Sequence, residues 1–304
     1  MADAVLEGVP ERLRGPLRRL ANRGTPVNIG LMTLLIEAAD VVEAQAALTM
    51  AAGTCVAADA ERYREALGLL LASPAAFATV RAVLGEVAHD AGPAASAEAG
   101  IARVRDAFDR AARVHPEGSV ALYALGDAGL LRAATAEIVA WLEARGLVGR
   151  GRAVLDIGCG IGRFVQALAP LMGRVTGIDV SGAMIEAAEA LCAGLPNTHL
   201  RVTSGHDLSD FEDGAFDLLL AVDSFPYLAD AGPGLLERHV EEAARVLKPC
   251  GDLVILNLSY RGDPDLDRAD LARLAVRSRF VSLCDGARAF TLWDGLAFHL
   301  RRQA

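Results

Sequence analysis

The chain's pattern predicts an α/β architecture: a doubly wound, mostly parallel seven-stranded sheet preceded by an all-α N-terminal domain. Three observations carry that expectation. Short apolar runs alternate with helical stretches through the second half, a glycine-rich turn follows the first of those runs, and residues 1 to about 90 show helical periodicity without a strand signal. A length of 304 residues accommodates two ordinary domains, and the boundary is placed at 116/117, giving a helical domain over 1–116 and an α/β domain over 117–304.

Taken in order, the helical half reads as helix, short turn, helix. Asn28 is expected to cap a helix carrying Met32, Leu35 and Ile36, and Asp40 to cap the next, which stops at Gly53. A third helix places Tyr63, Leu67, Leu70 and Leu71 on one stripe, and Pro74 serves as first-turn proline for a fourth with Phe77, Val80, Leu84 and Val87. Gly92-Pro93-Ala94-Ala95-Ser96 breaks the composition, and the amphipathic helix over 98–113, with Ile101, Val104, Phe108 and Ala111, is a connector assignable to either side. The basic cluster Arg12, Arg14, Arg18, Arg19 and Arg23 reads as a solvated helix face, since charge runs usually face water.

The second half opens with Tyr123 ahead of a helix over 130–145, then a strand at 153–155. Next comes Asp156-Ile157-Gly158-Cys159-Gly160-Ile161-Gly162-Arg163, a strand end, a glycine turn and a helix start. Glycines at alternate positions let the backbone approach a ligand closely, because no Cβ intervenes and positive φ costs little. The amides opening the following helix suit a carboxylate. A second strand over 174–178 ends at Asp179, where a carboxylate can accept two hydrogen bonds from ribose hydroxyls. Val180 and Met184 begin the next helix, and a third strand over 199–203 leads to Gly205-His206-Asp207-Leu208. The fourth, 216–222, is an unbroken apolar run, as a parallel strand buried on both faces should be; it ends at Val222 and empties into Asp223-Ser224-Phe225-Pro226-Tyr227. Ala244-Arg245-Val246-Leu247-Lys248-Pro249-Cys250-Gly251-Asp252 closes a helix and enters a fifth strand over 253–258, and a final strand over 296–301 is expected to pair across an Asp294-Gly295 hairpin turn.

A dinucleotide fingerprint would put its third glycine where Arg163 stands. The D-x-G-x-G-x-G spacing instead resembles motif I of the class I S-adenosylmethionine (SAM)-dependent methyltransferases, and the likeness extends over about residues 117 to 304. The string from Ala244 to Asp252 is similar to that family's "RVLKPGG" turn, with Cys250 in place of a glycine. The resemblance implies SAM as cofactor, with Asp156, Gly158, Cys159, Gly160 and Gly162 forming its loop, Asp179 and Val180 at the ribose, Met184 against the adenine ring, Asp207 accepting from the adenine amino group beside Leu208, and Val222 closing strand four. Tyr123 is a further cofactor candidate, because aromatic residues before this helix often contact SAM in the family.

Methyl transfer by in-line displacement needs chiefly alignment of a nucleophile and a dry site. In open parallel sheets ligands bind beyond the carboxyl ends of the strands, so Asp223 and Tyr227 after strand four are the catalytic candidates. Tyr227 can orient an acceptor or set its ring face over the sulfonium. His206 reads as a spectator, and His299 as a residue whose facing depends on strand alternation. No His or Cys cluster has metal-ligand spacing, so no metal site is expected. The missing Asn/Asp-Pro-Pro-aromatic tetrad after strand four removes the usual signature of adenine or glutamine amide N-methylation.

A net charge of −9 argues against nucleic acid as partner and favours a small-molecule methyl acceptor. Five cysteines without a C-x-x-C pair suggest a reducing compartment. The start lacks a basic n-region, and no stretch approaches the roughly 20 apolar residues needed to span a bilayer. These features point to a soluble cytoplasmic protein with no membrane association. One lysine among 30 basic residues, with abundant alanine, hints at a GC-rich bacterial genome. Peptide or protein methylation, a non-catalytic SAM-binding interaction module and nicotinamide-linked oxidation stay open as alternatives, as do a homodimer and the role of the helical domain as lid, substrate-binding or assembly element.

Overall fold

A computed structural model describes residues 6–86 and 94–304; Val87 and the Gly92-Pro93 pair lie outside the described residues. Among the described residues, eight α-helices come first: α1 (Glu11–Ala21), α2 (Val27–Glu37), α3 (Val41–Thr54), α4 (Ala57–Ala72), α5 (Ala76–Glu86), α6 (Ala97–Val114), α7 (Pro116–Val120) and α8 (Ala128–Ala144). Then follow β1 (Ala153–Ile157), α9 (Arg163–Leu168), β2 (Arg174–Asp179), α10 (Gly182–Leu191), β3 (Thr198–Val202), β4 (Phe216–Val222), α11 (Phe225–Ala231), α12 (Leu235–Val246), β5 (Leu247–Leu256), α13 (Pro264–Arg277), β6 (Phe280–Ala287) and β7 (Ala297–Arg302).

The chain forms two compact units. One gathers the described residues of Met1–Glu86 with Glu117–Ala134 and Phe290–Asp294; the other holds Val87–Pro116, Thr135–Ala289 and Gly295–Ala304, again as far as described. Helix α6 therefore clusters with the sheet.

In the helical unit, Leu13, Leu17, Leu20, Leu31, Leu34, Leu48, Tyr63 and Leu70 share one buried core. Each fully buried side chain of this size contributes roughly 1.5–3 kcal/mol. Asp40 caps α3 as expected, its Oδ1 accepting from the Glu43 amide at 2.8 Å. Asn28 does not cap α2. It sits inside the helix, buried, and its Nδ2 donates to the carbonyls of Tyr123 (3.0 Å) and Leu292 (2.9 Å), so a tertiary tie replaces the local one. Leu71 is 63% exposed and leaves the expected stripe, whereas Tyr63 and Leu70 are buried beside Ala60 and Ala66, and Leu67 packs partly buried against the same core. In the basic cluster, Arg12 pairs with Glu43 and Arg19 with Asp294 (2.9 Å). No single helix among the described residues is long and apolar enough to cross a membrane; α4 and α5 qualify only jointly, across an 84° bend, and both bury residues in this core.

The other unit is built on a seven-stranded sheet in the order β3-β2-β1-β4-β5-β7-β6. The first five strands are parallel, and β7 inserts antiparallel between β5 and β6. The sequence order of the strands reverses between β1 and β4, which places the topological switch point at their carboxyl ends, where the glycine turn leaves β1. The expected tight turn at Asp294-Gly295 is absent: β6 ends at Ala287 and β7 begins at Ala297, and Phe290–Asp294 between them cluster with the helical unit. Strand β5 starts earlier than its apolar run, because Leu247 already pairs with Phe216; the register then jumps to Leu218↔Asp252 and loops out 248–251. Cys250 takes φ 63 in that loop, a backbone state that favours glycine.

Buried His299 faces Asp252, with Nε2 to Oδ1 at 2.9 Å, and Arg301 and Arg152 reach the same carboxylate at 2.8 and 3.1 Å. Burial opposes the Asp252 charge, but bonds from His299 and Arg301 hold its carboxyl below the usual range. Asp252 is level with Leu218 and Val154, near the amino ends of the strands, so this cluster ties the sheet together at the end opposite the glycine turn.

Candidate functional site

At the carboxyl end of β1 the glycine turn adopts left-handed backbone at all three glycines, with φ 70 at Gly158, 53 at Gly160 and 80 at Gly162. Two of them are also required by space. A Cβ at Gly158 would stand 2.5 Å from the Ser224 Cβ, and one at Gly162 would stand 2.9 Å from the Ala188 Cβ of α10. The amides of Gly158 and Cys159 donate to the Ile178 carbonyl at 2.8 and 2.9 Å, fastening the turn to the end of β2.

Asp179 ends β2 and is buried. Its Oδ2 accepts from the Gly160 amide at 3.0 Å and its Oδ1 from the Ser181 amide at 2.9 Å. A carboxylate has about four acceptor positions, and the Val180 amide also acts on this one, so capacity for a further donor remains. Burial pushes the carboxyl up to about 6, against the pull of those amides. Asp156 is 1% exposed, and its Oδ2 has no hydrogen-bond partner. Burial lifts it to about 7, opposed by the Arg163 guanidinium and reinforced by Asp179. Arg163, the first residue of α9, is itself buried, donates to Thr135 Oγ1 at 3.3 Å and lies 4.4 Å over the Phe164 ring. Cys159 is buried, and burial raises its thiol well above the ordinary value, which suits a packing residue.

Met184 and Leu208 are buried, Val222 is nearly so at the last position of β4, and Val180 packs against Ile101 of α6. Asp207 makes an Asx-turn, Oδ1 accepting from the Ser209 amide at 3.1 Å, and bonds from Ser209 lower its carboxyl. Tyr123 belongs to the helical unit, in a 3₁₀ turn over Leu122–Ala124, and its carbonyl receives Asn28.

Sequence reasoning left α6 as a connector, whereas the structure packs it on α10 and α11. The Asp109 carboxylate accepts from Ser181 Oγ at 2.5 Å and from the Ala183 amide at 3.1 Å, so it caps α10 from another element. Burial opposes its charge, yet the bond from Ser181 brings the carboxyl below the usual range. Contact is close: a Cβ at Gly100 would lie 1.6 Å from the Ala231 carbonyl oxygen. One residue before Asp109, the Phe108 ring meets Tyr227 edge-on at 4.9 Å, and Tyr227 meets Tyr260 at 5.7 Å. Burial raises the Tyr227 phenol well above its ordinary value, while a hydrogen bond with Tyr260 works the other way. The phenol therefore stays protonated at neutral pH.

Asp223 and Asn257 directly follow β4 and β5 in left-handed backbone, φ 55 and 76. Asn257 Nδ2 donates to Asp223 Oδ1 at 3.2 Å. Asn257, Tyr260 and Asp109 were not singled out from the sequence, and Phe108 was read only as part of the apolar stripe of α6; the ring after the fifth apolar run was an available signal, but only the fold brings Tyr260 and Phe108 to Tyr227.

An open sheet in this strand order, with a glycine turn after β1 and a buried carboxylate ending β2, defines the class I methyltransferase fold. Residues 155–255 match the family model described as "Methyltransferase domain". The match covers a third of the chain, and within it residues 155–255 form a SAM-dependent methyltransferase domain. A demethylmenaquinone methyltransferase of Tropheryma whipplei (strain Twist) is 33% identical over 52% of this chain and 60% of its own length. A 2-methyl-6-phytyl-1,4-hydroquinone methyltransferase of Synechocystis is 35% identical over 37% of this chain and 34% of its own. Among solved structures, magnesium protoporphyrin IX methyltransferase from Synechocystis PCC 6803 with bound SAM superposes with a TM-score of 0.51 at 19% identity, covering 67% of this chain and 97% of that one. The chain thus spans less than two thirds of the length of the curated relatives it matches.

Proposed function

We propose that the protein transfers a methyl group from SAM to a small-molecule acceptor by in-line displacement. The observation that carries this reading is the buried Asp179 carboxylate, tied to the Gly160 and Ser181 amides and still able to accept from a ribose hydroxyl. The residues fit the cofactor in a second respect: the unpartnered Asp156 Oδ2 lies at the root of a turn whose three glycines carry no side chain of their own. Bound SAM supplies a methyl on a sulfonium, already activated toward a nucleophile.

The chain's own groups then bind, orient and exclude water. The glycine turn and Asp156 take the amino-acid end, Asp179 the ribose, and Val180, Met184, Asp207 and Leu208 the adenine; Val222 closes the floor. Asp223, steadied by Asn257, orients the acceptor, and the Phe108–Tyr227–Tyr260 rings keep water from it and suit a planar or apolar portion. Relatives named for quinone substrates support a small molecule over a protein acceptor. The test is calorimetric titration of the whole chain with S-adenosylhomocysteine and with NAD: the first should bind at least about 100-fold more tightly, the equivalent of roughly 2.7 kcal/mol. Equal affinities would overturn the assignment.

A further inference from the structure

Ser224 lies at the N-cap position of α11, yet its side chain makes no capping bond. Serine there normally turns its hydroxyl onto the helix amides. Here the side chain faces the first glycine of the turn instead: the space a Gly158 Cβ would need is taken by Ser224, with Cβ at 2.5 Å and Oγ at 3.3 Å from that point. The hydroxyl is fully enclosed and has no hydrogen-bond partner. Among the described residues, Asp156 and Ser224 carry enclosed, unpartnered polar side-chain atoms and belong to or directly adjoin the glycine turn. A buried hydroxyl without a partner is costly, and a native position that keeps one calls for a group that completes it.

We propose that Ser224 is a cofactor-binding residue whose hydroxyl bonds the amino-acid end of SAM, the ammonium or carboxylate that also meets the turn beside Gly158. This rests on the cofactor reading above and adds a side chain from the far side of the switch point, after β4. An acceptor group on the substrate is a poorer occupant, since Ser224 fills the space against Gly158 itself, whereas Asp223 and Asn257 stand at the strand ends.

The test uses the whole chain and two ligands with the same nucleoside: S-adenosylhomocysteine, which has the amino-acid end, and 5′-methylthioadenosine, which lacks it. Ser224→Ala should weaken S-adenosylhomocysteine about tenfold, the usual order for a hydrogen bond to a charged group, and leave 5′-methylthioadenosine within about twofold. Removing a hydroxyl that is unpartnered in the free protein should leave its Tm unchanged or raised, while the Tm gain on adding S-adenosylhomocysteine shrinks. Equal losses for both ligands, an unchanged S-adenosylhomocysteine affinity, or a lower Tm in the free protein would make Ser224 a packing residue and overturn the proposal. If instead the native chain failed to bind S-adenosylhomocysteine, the cofactor reading itself would fall.

Discussion

Asp179 titrates near 6 and Asp156 near 7 because both are buried, and this fixes the sign of two pH responses. In the unfolded chain both carboxyls lose their protons near pH 4, so between about pH 4 and 7 the folded protein holds protons that the unfolded one has released. The stability these two groups permit is full below about pH 4 and declines as pH rises through 6 and 7. Ribose hydroxyls, by contrast, donate to the ionised carboxylate. Affinity for S-adenosylhomocysteine should therefore rise between about pH 5 and pH 7, and Asp179→Asn should flatten that rise and weaken binding at pH 7 by roughly 1.5–3 kcal/mol. Calorimetry across the pH range measures both; an unchanged affinity with intact circular dichroism would leave Asp179 as a loop fastener only. Cys250 offers a test of backbone cost. Its left-handed φ of 63 suits glycine, the residue expected there by resemblance, so Cys250→Gly should stabilise the protein by about 0.5–1 kcal/mol in urea melts, with the gain limited by the greater entropy of glycine in the unfolded chain.

Among elements, the strands and the glycine turn were readable because their signal is local: apolar runs such as 216–222 for buried parallel strands, and glycines where φ is positive. What was missed depends on partners distant in sequence. Asn28 looked like a cap because its residue type caps helices, but two carbonyls from remote segments compete for its amide. The Asp294-Gly295 pair has turn chemistry, yet the chain departs toward the helical unit before returning as β7. Helix α6 was recognised as amphipathic, and its attachment was undetermined because Gly100 and Asp109 acquire meaning only opposite Ala231 and Ser181. That attachment is testable. Gly100→Ala drives a methyl into the Ala231 carbonyl and should cost about 1–3 kcal/mol, read as a lower Tm, and should weaken S-adenosylhomocysteine by loosening the helix that caps α10. Full affinity in that variant would show that α6 contributes nothing to the cofactor site.

For the molecule as a whole, the two compact units exchange chain: Glu117–Ala134 and Phe290–Asp294 cluster with the N-terminal helices, while α6, which precedes them, clusters with the sheet. A shortened protein is therefore sensitive to where it begins. Starting at Ala94 removes α1 to α5 and keeps α6, with the Asp109 cap on α10, the Ile101 contact with Val180 and the Phe108 ring on Tyr227. Starting at Gly118 removes all of these. We expect the Ala94 chain to bind S-adenosylhomocysteine within a few-fold of the full protein, and the Gly118 chain at least about tenfold more weakly, an effect the size of one lost charge-assisted hydrogen bond. Turnover should separate differently. If the N-terminal helices govern access of the acceptor, the Ala94 chain keeps the cofactor but loses most methyl transfer to the native acceptor, because excluding water and completing the site affect catalysis more than cofactor contacts. Methyl label transfer from SAM into a fractionated metabolite extract identifies that acceptor and then measures the loss. Full turnover by the Ala94 chain would assign α1 to α5 to assembly or partner binding and end the lid interpretation.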